Sequence, residues 1–222
     1  MGRAINTAIS VSNLSYRYPI SGFTLSCSRL DLPLGELTLI TGPNGSGKTT
    51  LSKLLCGILR PERGELRIFG RPAQELSLGE IGGRVGYLFQ DPSRQLFAGT
   101  LWQEMIFADE VLGRDLKAAE DRARTLLKRF GLLSLAKRSV YHLSRGEKQR
   151  LALCTILMGG ADYIILDEPT IGLDGANRNR LYSVVDELLR HGKGLAVISH
   201  EGELITRYST RQVRLEQGRV VA

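Results

Sequence analysis

Gly42-Pro43-Asn44-Gly45-Ser46-Gly47-Lys48-Thr49 fits the pattern G-x-x-x-x-G-K-[ST], with an apolar run at 37–41 before it and a helical pattern at 48–59 after it. Glycines let the backbone curl so that successive N–H groups point inward at an anion. The following helix adds the positive end of its dipole. In such a loop Lys48 reaches the β- and γ-phosphates of a nucleotide, and Thr49 places its hydroxyl on Mg²⁺. A chance Gly-rich turn before Lys-Thr would not come flanked by a strand and a helix.

By itself the motif marks a P-loop NTPase, a class that kinases and GTPases share. An acidic motif narrows it. The apolar run 163–166 ends in Asp167 and Glu168. A strand beside the phosphate loop delivers Asp167 to the shell of a hard cation, which takes oxygen ligands. Glu168, past the strand end, points elsewhere and is placed to take a proton from an attacking water. Adjacent acids also cap turns at strand ends; the phosphate loop tips the reading to catalysis.

Ahead of that strand, Leu143-Ser144-Arg145-Gly146-Glu147-Lys148-Gln149-Arg150 starts a helix. Ser144 with Glu147 three residues on is a capping box, which explains both structurally. A capped helix start beside a glycine is also an anion site.

Around these motifs the chain alternates. Residues 9–16, 22–30, 37–41, 64–69 and 85–89 read as strands, and Arg60-Pro61 is expected to end the helix that begins at Lys48. From Thr100 the apolar period lengthens: Leu101, Met105 and Ala108 mark one helix face, and Leu116, Ala119, Ala123, Leu126, Leu127 and Phe130 another. A third helix spans 144–158, stopped by Gly159-Gly160. Strands at 163–166, 195–199 and 213–215 then alternate with helices, which implies parallel pairing and a covered sheet. The expectation is one domain over 1–222, with an α/β core at 1–99 and 159–222 and a helical lobe at about 100–158.

The 222 residues, 42% apolar and 24% charged, suffice for a core without staples. Cys27, Cys56 and Cys154 are scattered and odd in number, against a disulfide framework or zinc site and in keeping with a reducing cytosol. The first ten residues hold no apolar h-region, and Asn6 stands where a myristoylation signal has Ser or Thr. No apolar stretch approaches the ~20 residues that span a bilayer. The net charge of +7 is spread without a basic run, a solvated surface rather than a nucleic-acid or lipid patch. His142 and His191 are isolated surface histidines, and Gly82-Gly83 a turn.

The order of segments resembles that of the ATP-binding-cassette (ABC) ATPases: phosphate loop, Gln loop, LSGGQ-type signature, Asp-Glu strand end, Asp loop and switch His. Gln90 follows the strand at 85–89, Asp174 follows Gly172-Leu173, and His200 follows the strand at 195–199. The match runs from Val11 to about Leu215. It implies an ABC-type nucleotide-binding domain of the α/β P-loop NTPase class, with an N-terminal antiparallel β subdomain and an inserted all-helical lobe. It further implies that ATP is bound by Gly42, Pro43, Asn44, Gly45, Ser46, Gly47, Lys48, Thr49 and Thr50. Tyr18, just before Pro19, would stack on adenine, with Tyr16 as the alternative. Ser144, Arg145, Gly146 and Glu147 would meet the γ-phosphate held by a second protomer, and Asp174 would cross the interface. By the same resemblance Glu168, His200 and Gln90 would carry catalysis, and Thr49, Gln90 and Asp167 would hold Mg²⁺. Two positions depart from the family: Arg145 replaces the signature's usual glycine, and Glu147 its usual glutamine.

Because the chain holds one copy of each motif, the resemblance implies a second cassette, identical or related, and a cycle of closure and opening. The stretch Phe89-Gln90-Asp91-Pro92-Ser93-Arg94-Gln95-Leu96-Phe97 is similar to the energy-coupling-factor importers of vitamins or transition-metal ions. That similarity implies a transmembrane coupling subunit, a substrate-capturing membrane protein, the cytoplasmic face of the membrane and no nucleic acid. Leu96, Phe97, Trp102 and Met105 are expected to form an apolar groove for the coupling subunit. The end at Ala222 leaves little for a C-terminal dimerisation domain. The competing readings are an ordinary ABC importer or exporter, a soluble ABC ATPase acting on DNA or ribosomes, and a regulatory module without turnover. The filled positions Glu168 and His200 disfavour the last.

Overall fold

Alternate residues of three central strands face opposite sides of one sheet, and this divides the core in two. In a computed structural model that describes residues 7–208 and 211–221, the strands are β3 (Leu37–Thr41), β7 (Tyr163–Asp167) and β8 (Gly194–Ile198). Leu39, Ile164, Leu166, Leu195 and Val197 pack into one apolar cluster; Ile40, Tyr163, Ile165, Ala196 and Ile198 pack into the other. With every residue of β7 and β8 buried, the runs are continuously apolar, as strands covered on both faces must be.

The remaining strands are β1 (Thr7–Arg17), β2 (Thr24–Pro33), β4 (Arg63–Ile68), β5 (Arg71–Pro72), β6 (Val85–Leu88), β9 (Gln212–Glu216) and β10 (Arg219–Val221). The sheet order is β5-β4-β1-β2-β10-β9-β3-β8-β7-β6. β9, β3, β8, β7 and β6 run parallel, whereas β5, β4, β1 and β2 pair antiparallel. Helix α1 (Lys48–Leu55) covers one face together with α2 (Leu78–Gly82). The other face carries α3 (Leu101–Val111), α4 (Leu116–Arg129), α5 (Arg145–Gly159), α6 (Gly175–Arg190) and α7 (Gly202–Tyr208). Helices α3, α4 and α5 pack on one another and form the helical lobe inserted between β6 and β7.

Several expectations need correction. Helix α1 ends at Leu55, well before Pro61, because Gly57 takes the left-handed conformation (φ +69°). Gly57 N–H then donates to Leu54 O and Ile58 N–H to Lys53 O, a Schellman stop. Leu96 and Met105, read as a partner groove, are buried in the core, whereas Phe97 is exposed and Trp102 half-buried. Ala108 and Leu116, read as apolar-face positions, are exposed. The signal-peptide and myristoylation readings rest largely on residues 1–6, and the chain end on Ala222; both lie outside the described residues.

Candidate functional site

Parallel strands present their carboxyl ends together, and in open α/β sheets that edge is where ligands bind. Here the edge collects the phosphate loop after β3, Asp167 and Glu168 at the end of β7, His200 after β8 and Gln90 after β6. Register brings them level: Ile40 pairs with Ile198, Ile198 with Asp167, and Leu166 with Leu88.

The phosphate loop is shaped by backbone that only glycine adopts comfortably. Gly42 has φ +143°, and a Cβ there would meet Leu215 O; Gly47, at φ +105°, lies against Phe23. Gly47 is also the N-cap of α1, and among the described residues no side chain caps this helix and no acid occupies its first turn. Its leading N–H groups are thus left for an anion. Lys48 Nζ donates to Gly42 O (2.8 Å) and Pro43 O (2.9 Å), folded back along the loop. Burial lowers the Lys48 pKa, while Glu168 and Asp167 pull it up.

A cleft of about 510 Å³ opens over this loop. Tyr18, Ser21, Phe23, Asn44, Gly45, Gly47, Lys48, Thr49, Thr50, Gln90, Asp167, Glu168 and Ile198 line it. Tyr18 stands at a tight turn in which its N–H donates to Phe23 O (2.9 Å), with the two rings 6.5 Å apart. Tyr16 meets Tyr18 edge-on at 5.0 Å but does not line the cleft. Gly42, Pro43 and Ser46 lie outside it as well. The buried Ser46 hydroxyl would lie 2.9 Å from a Gly42 Cβ, so the two residues pack closely within the loop.

Asp167 Oδ2 accepts from the Tyr87 hydroxyl (3.2 Å), whereas Oδ1 is buried without a hydrogen-bond partner among the described residues. Burial raises this carboxyl, and the Thr49 and Tyr87 hydroxyls oppose the rise. A buried, unsatisfied carboxylate oxygen beside a threonine hydroxyl is a donor set suited to a hard cation such as Mg²⁺. Glu168 has φ +50°, a left-handed backbone costing about 1–3 kcal/mol in a residue with a side chain. That turn separates its carboxylate from that of Asp167. Burial and then the Asp167 charge raise the Glu168 carboxyl. His200 Nε2 lies 3.6 Å from Glu168 Oε1. Burial and then Lys48 lower the His200 pKa, so the ring is neutral near pH 7 and the contact is not an ion pair.

The signature residues are elsewhere. Ser144 caps α5: its Oγ accepts from Glu147 N–H (3.3 Å), and its own N–H donates to Glu147 Oε2 (2.7 Å). The Ser144 hydroxyl also interacts with the Glu147 carboxylate and helps to hold it ionised. The Ser144 N–H bond holds the Glu147 carboxyl below its usual value, so a charge replaces the family's neutral amide. Gly146 is required by close approach, since a Cβ there would lie 2.9 Å from Gly172 O. The Arg145 stem lies over Gly172, and Arg145, Lys148, Gln90, Asp91 and Ser93 line a second open groove. Asp174 caps α6 through Asn177 N–H (2.8 Å). None of Ser144, Arg145, Gly146, Glu147 or Asp174 lines the Lys48 cleft. Phe23 and Tyr87 went unnoticed in the sequence; Phe23 is signalled only by the Gly22 turn, and Tyr87 by nothing local.

A family model described as ABC transporter matches residues 25–171. The energy-coupling factor transporter ATP-binding protein EcfA2 of Methanospirillum hungatei is 37% identical over 216 residues, 96% of this chain and 54% of that protein. The chain therefore spans about half the length of that relative. The energy-coupling factor transporter ATP-binding protein EcfA of Carboxydothermus hydrogenoformans is 34% identical over 218 residues, covering 98% of this chain and 81% of its own. Among solved structures, cbiO1 from Clostridium perfringens, described as part of the ABC transporter complex cbiONQ, superposes with a TM-score of 0.82. It is 28% identical and covers 98% of this chain and 88% of its own.

Proposed function

This chain belongs to the ABC transporter family and is an ATPase of it, and from that premise we propose that it powers solute uptake through an energy-coupling-factor importer. One observation carries the mechanism: the two halves of a family ATP site are both present, yet Ser144 and its neighbours do not line the cleft that holds Lys48. A single copy does not close the site on itself. Two copies, or this chain and a related one, sandwich ATP, so that Ser144 of one meets the triphosphate on Lys48 of the other. Closure on ATP and parting after hydrolysis then move the membrane partners.

Within each site the roles follow from position. The aromatic pair Tyr18 and Phe23 walls the adenine end, and the free N–H groups of α1 with Lys48 take the phosphates. Thr49, Asp167 and Gln90 would hold Mg²⁺, which supplies charge neutralisation on the phosphates. Glu168 accepts a proton from the attacking water, and its raised pKa makes it a better base than a free carboxylate. Neutral His200 stands beside Glu168 and donates its one N–H toward the γ-phosphate.

The importer class rests on the names of the two relatives and on the stretch from Phe89 to Phe97; vitamins and transition-metal ions are the candidate cargo. Among the described residues no helix is long and apolar enough to cross a membrane; in the proposed importer the pore belongs to the membrane partners. The test is to extract tagged protein in detergent and reconstitute what accompanies it. Integral membrane proteins should co-purify, and vesicles holding the complex should take up solute with ATP but not with Glu168→Gln. Recovery of nucleic acid or ribosomes in place of membrane proteins would overturn the proposal.

A further inference from the structure

The segment after His200 is tied to the segment after Glu168 by one carboxylate. Glu201 Oε1 accepts from Arg178 Nη1 at 2.8 Å, and the Glu201 side chain is 18% exposed. Its N–H donates to Ser199 Oγ (3.0 Å), a residue with no exposed surface. Its other oxygen, Oε2, and the Tyr182 hydroxyl are both buried, and the Tyr182 and Thr170 hydroxyls interact with the Glu201 carboxylate. Burial pushes the Glu201 carboxyl up, but the Thr170 hydroxyl and Arg178 outweigh it and hold the carboxyl below its usual value. Thr170 stands two residues after Glu168. Arg178 lies in the first turn of α6, its N–H donating to Asp174 O (2.9 Å). Three segments thus meet at Glu201: the turn carrying His200, the loop from Glu168 to Asp174, and the start of α6.

We propose that Glu201 is a positioning residue for ATP hydrolysis, clamped by Arg178 so that the His200 turn and the Glu168 loop move as one body. The inference rests on the roles proposed above for Glu168 and His200. Glu201 does not line the Lys48 cleft, and its charge reaches Glu168, so it acts on turnover through Glu168 and His200 and leaves nucleotide affinity to the phosphate loop. A displacement of the Asp174 loop by a partner cassette would pass through Arg178 and Glu201 to the His200–Glu168 contact.

The experiment compares kcat, the KM for ATP and ADP affinity for the full chain and its variants Glu201→Ala, Glu201→Gln, Arg178→Ala and Arg178→Lys. Glu201→Ala and Arg178→Ala should each lower kcat about ten- to a hundredfold with KM and ADP affinity within about twofold of wild type. The double alanine variant should be no slower than the slower single one, since both break one clamp. Arg178→Lys should recover most of the rate. If Glu201→Ala does not fold, the near-isosteric Glu201→Gln decides, with a smaller kcat loss and unchanged KM expected. Unchanged kcat in Glu201→Gln and Arg178→Ala, or losses that multiply in the double variant, would overturn the proposal. Glu168→Gln and His200→Ala run alongside: if these retain turnover, the catalytic assignment has failed; if they abolish it while Glu201→Gln and Arg178→Ala are unaffected, only the clamp has.

Discussion

His200 Nε2 lies 3.6 Å from Glu168 Oε1, and the backbone between them is pinned by Glu168 N–H donating to Ile198 O at 2.9 Å. The carboxylate assigned as base therefore sits on a strained turn whose far side is the last residue of β8. A base held this way has its backbone anchored to the sheet. Its protonation and its alignment are both set by neighbours that the fold fixes.

Replacing that carboxylate isolates the chemistry. Glu168→Gln keeps the shape and removes the proton acceptor, so kcat should fall about 10²–10⁴-fold while ATP still binds. Steady-state turnover together with equilibrium ATP binding checks this; wild-type-like turnover would remove Glu168 from the role.

The same substitution has a stability signature. A carboxyl whose folded pKa is raised binds its proton more tightly folded than unfolded. Stability therefore falls as pH rises from its usual 4.5 through the raised value, and above that the penalty is complete. Glu168→Gln removes the penalty. Without nucleotide and in chelator, the variant should melt above wild type at about pH 8, and the gap should close below about pH 4.5. A gap that widens on acidification would show the sign to be wrong.

The aromatic wall predicts a stacking contribution to ATP affinity. Tyr18→Ala should raise the KM for ATP about five- to a hundredfold, the range of one lost base stacking contact, whereas Tyr18→Phe should leave it nearly unchanged. Equal losses in both would point to the hydroxyl instead of the ring.

Partner docking separates from packing at the helical lobe. Met105 is 2% exposed, so Met105→Ser should cost about 2–5 kcal/mol of stability whatever the protein binds. Phe97, 55% exposed and edge-on to Phe107 at 4.7 Å, is the residue to alter for partner contact. Phe97→Asp should leave melting within a few degrees of wild type and lower membrane-subunit co-purification. Unchanged co-purification would exclude Phe97 from the interface.

What could be read from the residues was mostly local. The phosphate loop, the Ser144–Glu147 cap and the all-buried runs of β7 and β8 are written in contiguous residues, where spacing fixes geometry. The end of α1 was misjudged because proline is a louder stop than glycine, yet Gly57 acts first. Leu96 and Met105 could not be told from surface anchors, since periodicity marks an apolar face without saying what covers it. Tyr87 against Asp167 and Arg178 against Glu201 are separated by 80 and 23 residues, and only the sheet brings them together. The distance between the Lys48 cleft and Ser144 within one chain was expected from the family resemblance alone.

A mixing assay tests that separation most directly. One preparation carries Lys48→Ala, which spoils the phosphate cleft, and the other Gly146→Asp, which places a charge and a clash at the signature. Each should be nearly inactive alone. Mixed, they should regain substantial ATPase activity, because a pair combines one intact cleft with the other chain's intact signature. A mixture no more active than the average of its two parts, with wild-type turnover that stays constant per chain down to concentrations where only monomer sediments, would contradict the two-chain site.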